Sequence, residues 1–344
     1  MNNIGLKYSP FKLELSNNFE NSKAKIFERK GFIIKLESDG KTGYGEANPL
    51  PEFGSETFEQ DEVALKDFKL NLNILPEDLI KSIEDNLKTL SGLPALRHGF
   101  EQALLNLLCA KANISLNEIL NCTSRPEIKV NAVIGLLNPA ESASAALRLV
   151  KEGFTTLKIK AGREQFKDDL NCLVAIQKAV GDDVKLRIDA NGKWNTIEAI
   201  ENLKALENFN IEYVEQPVNN LIGFQKVSKK SSVPLAADES IRSFNDAKDF
   251  IQSHTIKALV LKPMLLGGII PTLKIIQIAE RENLKVIISS SFESSLGRSW
   301  AIFAASTVKE EIAHGLDTAR FLKNDLYPNP YPVRNGRIFL QNNN

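Results

Sequence analysis

Short apolar runs recur along most of the chain, and from Ile128 onward each is followed by a segment whose apolar positions fall three and four residues apart. The clearest are TTLKIKAG (155–162), VKLRIDAN (184–191), IEYVEQP (211–217), PLAADES (234–240) and IKALVLKP (256–263). A continuous apolar run bounded by helical pattern reads as a strand buried on both faces of a parallel sheet. One strand, one helix and two loops take roughly 20 to 30 residues, so the repeat is that of a βα unit. Strands are predicted at 128–134, 155–160, 185–190, 211–215, 234–238, 256–262, 284–290 and 312–316.

The first hundred residues follow a different pattern. Residues 5–15 and 25–47 alternate or run apolar around the turn signal Ser38-Asp39-Gly40-Lys41, which predicts a small antiparallel sheet. Helical patterns follow at about 57–72, 76–90 and 95–112. The expected class is α/β: a modified TIM barrel, (β/α)7β, over residues 113–319, with an N-terminal α+β capping domain over 1–112. The tail, 320–344, with YPNPYPV and the short run RIFL, is expected to return to the capping domain and complete it.

Composition narrows the function. Of 344 residues, 43% are hydrophobic and 25% charged, as in globular proteins, and Lys plus Arg equals Asp plus Glu at 43 each. A balanced surface has no basic field for nucleic acid or an anionic membrane, so neither is an expected partner. No stretch approaches the roughly 18 apolar residues of a membrane span, and MNNIGLKYSPFKLELSNN lacks a signal-peptide core. Cys109, Cys122 and Cys172 form no CxxC pair, which argues against a disulfide framework or structural zinc. The cytoplasm is the expected compartment, and the oligomeric state is left open.

Five charged residues sit at or near the C-terminal ends of five successive strands: Lys160, Asp189, Glu215, Asp238 and Lys262, spaced 29, 26, 23 and 24 residues apart. One such charge is most often a cap or a solvated loop residue. Five in register, gathered at the open end where barrels place their active sites, form a constellation. Three carboxylates on adjacent strands repel one another unless a cation lies among them. They are hard oxygen donors, which suits Mg²⁺; zinc would more commonly recruit His or Cys, and His98 and His254 fall outside the cluster.

Lys160 and Lys262 come from strands two and six, on opposite sides of an eight-stranded barrel, and so face each other across a bound substrate. A lysine acts as a base once neighbouring cations lower its pKa. Lys158, two residues before Lys160, points to the same side. It either adds to that positive field or pairs with a carboxylate and positions the site. A metal on carboxylates between opposed lysines fits proton abstraction beside the carboxylate of a small-molecule substrate.

The motifs KIK (158–160), DAN (189–191), VEQP (214–217), ADES (237–240) and LKPMLLGG (261–268), in that order, closely resemble the enolase superfamily, in its muconate-lactonizing-enzyme-like subgroup with lysines on both sides. Within that subgroup GYGEANPLPEFGSET (43–57), ISSSFESSLG (288–297) and HGLDT (314–318) resemble the o-succinylbenzoate synthase family. The resemblance implies Mg²⁺, with Mn²⁺ able to substitute, on Asp189, Glu215 and Asp238. It implies that Lys160 takes the α-proton and then helps hydroxide leave from the same face, a syn-dehydration, with Lys262 stabilising the enediolate. Ser289 and Gly315 fall near the succinyl tail, Lys158 beside the substrate, and Arg187 and Asn191 around Asp189. The product would be o-succinylbenzoate, an intermediate of menaquinone biosynthesis. The competing expectation is an N-acylamino acid racemase or dipeptide epimerase, in which both lysines act on one carbon; dipeptide epimerases usually carry Asp-x-Asp near strand eight, where this chain has AHGLDT with one Asp. The apolar loop PLPEF (49–53) is expected to face the barrel mouth and the Ser-rich 288–297 segment to bind substrate or cap a helix; the order of the polar stretch 16–25, which could close over the site on binding, is left open.

Overall fold

The protein is described from a computed structural model, and the residues described are 4–20, 25–68 and 78–340. Three antiparallel strands, β1 (Gly5–Glu20), β2 (Lys25–Ser38) and β3 (Lys41–Ala47), open the chain. The predicted turn joins β2 to β3, with Asp39 (φ 50°) and Gly40 (φ 72°) both left-handed as a tight hairpin requires. Helices α1 (Phe58–Asp67), α2 (Leu79–Asn86) and α3 (Pro94–Ala112) follow. The predicted helix at 57–72 thus ends at Asp67, and its continuation past 68 falls outside the described residues, as do residues 21–24 of the 16–25 stretch. Pro94 sits in the first turn of α3, and Asn113 ends it in the left-handed conformation. Glycines let α3 lie directly on β3: a Cβ on Gly45 would come within 1.9 Å of the Gly99 carbonyl.

After the short helix α4 (Leu116–Ile119), the first predicted barrel strand is broken at Asn131 into β4 (Glu127–Val130) and β5 (Ala132–Ile134). Then come α5 (Pro139–Lys151), β6 (Thr156–Lys160), α6 (Phe166–Val180), β7 (Lys185–Asp189), α7 (Thr196–Leu206), β8 (Ile211–Glu215), α8 (Leu221–Ser228) and β9 (Leu235–Ala237). The alternation ends with α9 (Phe244–Ser253), β10 (Ala258–Leu261), α10 (Ile269–Arg281), β11 (Lys285–Ile288), α11 (Ser295–Ser306) and β12 (Ala313–His314). Strands β5 to β11 form one parallel sheet in sequence order. Closure falls to β12, which pairs parallel with β4, while Gly315 bridges Ser289 just past β11. The Gly315 amide donates to Ile288 O and the Asn131 amide to His314 O, both at 2.9 Å. The (β/α)7β ring with an N-terminal cap is therefore the observed architecture.

Side chains alternate strictly along the barrel strands. Ile159, Ile188, Val214 and Leu261 face the helices in the main apolar core, whereas Tyr213, Val260 and Ile287 fill the barrel interior. The same period turns Lys160, Asp189, Glu215 and Lys262 inward at the strand ends. A separate apolar cluster joins cap and barrel near the mouth: Leu15, Ile26, Leu50 and Ala95 from the cap against Met264 and Phe292.

The tail divides between two places. Lys323 N donates to Glu14 O (2.8 Å) and Ser16 Oγ to Phe321 O (3.2 Å), so the chain first runs along β1. Strand β13 (Arg337–Phe339) then pairs antiparallel with β4 on the barrel rather than with the cap sheet. No described helix is long and apolar enough to cross a membrane. All three cysteines are free.

Candidate active site

At the C-terminal ends of the strands a cavity open to solvent is lined by Lys158, Lys160, Asn191, Glu215, Asp238 and Lys262. Ser289, Ser290, Phe292 and Gly315 line it as well, and Phe53 of the cap overhangs it. Asp189 lies just beneath, fully buried. Every strand-end residue predicted from sequence thus falls at one place. Lys160 on β6 and Lys262 just past β10 are four strands apart in a ring of eight, hence on opposite walls.

The carboxylates and ammonium groups interlock. Lys158 Nζ donates to Glu215 Oε1 at 2.7 Å and lies 2.9 Å from Asp189 Oδ2. Lys160 Nζ donates to Asp189 Oδ2 at 2.6 Å and to Asn191 Oδ1 at 3.1 Å, and Lys262 pairs with Asp238. Burial opposes ionisation of Asp189, but Lys158 and Lys160 outweigh it and hold the carboxyl well below its usual range. Burial likewise disfavours charge on Asp238, and there Lys262 and Lys158 prevail. Glu215 goes the other way: burial and the nearby Asp189 push it well above the ordinary carboxylate value. Lys158 and Lys262 do not move toward neutrality in this state. Burial pulls the Lys158 and Lys262 ammonium groups down, but Asp189 and Asp238 respectively, with the other carboxylates, raise both above the usual lysine value.

A metal's fit is decided by these donors. Among the described residues no three ligand side chains stand ready-made around one point, because ammonium groups hold the carboxylates. Glu215 Oε2 is nevertheless buried without a hydrogen-bond partner, and an orphaned carboxylate oxygen among two further carboxylates is the donor set a hard divalent cation takes. The residues present fit such an ion.

Ser289 and Gly315 are bridged to each other across the closing seam. Asn191 spans Lys160 and Glu239, donating to Glu239 Oε1 at 2.8 Å. Arg187 runs below the site: it donates to Glu212 (2.7 Å), Asn131 (3.1 Å) and Ala313 O (2.8 Å), and stacks on Tyr213, so it braces the barrel interior. His314 is buried and accepts from the Ile288 amide; His98 is buried against Gln102. Asp317 starts a short turn after β12, pairs locally with Arg320, and lines the cavity with it. Phe53 lies under the Lys262 ammonium, 5.6 Å from ring centroid to Nζ.

Comparison with known proteins accords with this geometry. Residues 141–343 match the family described as Enolase C-terminal domain-like, and residues 9–107 match the MenC N-terminal domain. The chain belongs to the enolase superfamily. It is 30% identical to the hydrophobic dipeptide epimerase of Enterococcus faecalis over 90% of both chains. The crystal structure of that epimerase, complexed with Mg and the dipeptide L-Leu-L-Tyr, superposes with a TM-score of 0.86 at 28% identity, over 98% of this chain and 96% of that one. It is 34% identical to the o-succinylbenzoate synthase of Thermobifida fusca over 60% of this chain and 64% of that protein. It is also 30% identical to Protein PHYLLO, chloroplastic, of Arabidopsis thaliana over 94% of this chain, and spans only 21% of the length of that relative. Superfamily membership makes this chain an enzyme; lyases, racemases and epimerases all stand among its relatives.

Glu46, Glu239, Arg320 and Phe53 do not stand out individually in the sequence. Glu46 and Phe53 lie within GYGEANPLPEF, but nothing in a single sequence says which helix a strand-end carboxylate will meet.

Proposed function

We propose that this chain is an o-succinylbenzoate synthase, a carbon-oxygen lyase of menaquinone biosynthesis that dehydrates 2-succinyl-6-hydroxy-2,4-cyclohexadiene-1-carboxylate. The observation that carries proton abstraction beside a carboxylate, common to this reading and to racemisation, is the placement of Lys160 and Lys262 on opposite walls of one cavity, with three carboxylates between them. Asp189, Glu215 and Asp238 hold Mg²⁺, or Mn²⁺ in its place, which supplies electrostatic stabilisation for the negative charge that builds on the substrate carboxylate. Lys160, hydrogen-bonded to Asp189 and Asn191 at the end of β6, is the base in this reading. Its neutral amine then takes the α-proton, the ring C–O bond breaks on the same face, and the ammonium returns the proton to the departing hydroxide as water. Lys262 stays protonated and stabilises the enediolate, with Phe53 packed against it. Lys158 keeps Glu215 and Asp189 in place, and Asn191 does the same for Lys160. Ser289 and Gly315 border the succinyl end.

Two further observations favour dehydration. Residues 9–107 match the MenC N-terminal domain. Asp317, the one acidic residue of the AHGLDT run at strand eight, is paired with Arg320, and no Asp-x-Asp stands in that run. A second reading, racemisation or epimerisation of N-acylamino acids or dipeptides, is supported by the opposed lysines and by the dipeptide epimerase relative. Incubation with Mg²⁺ and the cyclohexadiene, following the aromatic product by absorbance, separates the readings. Aromatisation lost in Lys160→Ala supports the synthase; no aromatisation, with α-deuterium exchange into N-succinyl amino acids or dipeptides, replaces it with the second reading.

A further inference from the structure

The Ser289–Ser294 segment carries three of the side chains that face the cavity, Ser289, Ser290 and Phe292. Phe292 adopts φ 62°, a left-handed conformation that a bulky residue holds only when its surroundings impose it. Upstream, β11 fixes the segment. Downstream, Arg298 Nη1 donates to Glu293 O (2.9 Å) and the Ser295 amide to Asp325 Oδ1 (2.8 Å), and a further restraint comes from the other domain. Glu46, at the end of β3 and 1% exposed, accepts at Oε1 from the Ser294 amide (2.9 Å) and from Asn48 Nδ2 (3.1 Å). Its Oε2 accepts from the Gly297 amide (2.9 Å) and from Ser294 Oγ. A carboxylate there meets the free N–H groups and positive end of α11. Gly297 makes room for it, since a Cβ at that position would lie 3.0 Å from the Glu46 carboxyl carbon. The Glu46 backbone is itself pinned, its amide donating to Gln102 Oε1 on α3 at 2.7 Å.

We propose that Glu46 is a positioning residue for substrate recognition: by clamping the start of α11 it holds Phe292 in its strained conformation and so shapes the end of the cavity away from the carboxylate trio, where the acyl chain of the substrate lies. This rests on the reading of the cavity as a carboxylate-binding site and adds a residue of the cap to its specificity. Glu46 does not touch the reacting atoms, so its loss affects how the acyl end is held and leaves the proton transfer at Lys160 intact.

The test uses Glu46→Gln, which turns an amide NH₂ toward one of the α11 amides, and Ser294→Ala, which removes one donor to Glu46 together with the cap that Ser294 Oγ makes to the Leu296 amide, and leaves Glu46 in place. Steady-state kinetics with the cyclohexadiene substrate and amide exchange followed by mass spectrometry are measured on both. The expected result is a KM raised about tenfold with kcat within about threefold of wild type, and faster exchange confined to residues 290–297. Unchanged exchange there, an unchanged KM, a fall in kcat alone, or faster exchange spread equally over β7 and β8 overturns the proposal. A wild-type protein inactive on the cyclohexadiene overturns the synthase reading instead; the localised exchange in Glu46→Gln still decides the clamp.

Discussion

For Lys160 the difficulty is charge: its ammonium is tied to Asp189 and Asn191, yet a base must be neutral. Removing the amine leaves the carboxylates and Lys262 in place, so Lys160→Ala is expected to lower kcat by about 10²- to 10⁴-fold, the usual worth of a positioned base, with the protein still folded by circular dichroism. Gly45 poses a steric problem of a different kind. An alanine there places its Cβ 1.9 Å from the Gly99 carbonyl on the helix lying over β3. Gly45→Ala is expected to cost at least about 1–3 kcal/mol of stability, measured by urea denaturation, because neither backbone can yield without unpacking the cap. The sequence made the five strand-end charges legible because the strand period fixes which way each side chain points. It left Glu46 unread because its partner lies 248 residues away, at Ser294.

At the scale of elements, the strand-helix alternation was legible nearly residue by residue, since buried parallel strands are unbroken apolar runs. The exceptions have physical causes. The first strand breaks at Asn131 because its two halves serve different neighbours, β4 joining β12 and β13 and β5 joining β6. The RIFL segment carries no mark of its destination, because an edge strand of three residues fits any open edge; it lies on β4. Helix α10 shows how cap and barrel are tied. Its first amides, Ile269 N and Ile270 N, donate to Glu101 on α3. Burial, opposed by Arg97, pushes the Glu101 carboxyl up to about 7 from the ordinary 4.5. A raised carboxyl pKa contributes stability that is complete below about 4.5 and is lost as pH rises through about 7, because the folded state must then ionise a buried group. Glu101→Gln is therefore expected to gain melting temperature relative to wild type between about pH 5 and pH 8; a difference independent of pH would refute the burial argument.

On the scale of the whole molecule, the capping domain and the barrel share one site, and a ligand that binds only the folded form stabilises all of it. Mg²⁺ at a hundredfold excess over its dissociation constant is expected to add about 2.7 kcal/mol. Thermal melts with and without Mg²⁺, after treatment with a chelator, measure this; the shift should vanish in Asp238→Asn.

The ring is not uniform. Its eighth member, β12, is two residues long, and the Ser289–Gly315 bridge and a few neighbouring amide bonds carry the closure. The groups proposed for proton removal stand on the five continuously paired strands from β6 to β10, outside this short seam. Amino-acid change along the seam can reshape the far end of the pocket without disturbing the registers that hold the lysines and carboxylates. A barrel built this way resembles a vice with one fixed jaw and one exchangeable jaw: the fixed jaw sets the reaction, and the exchangeable jaw sets the molecule that undergoes it.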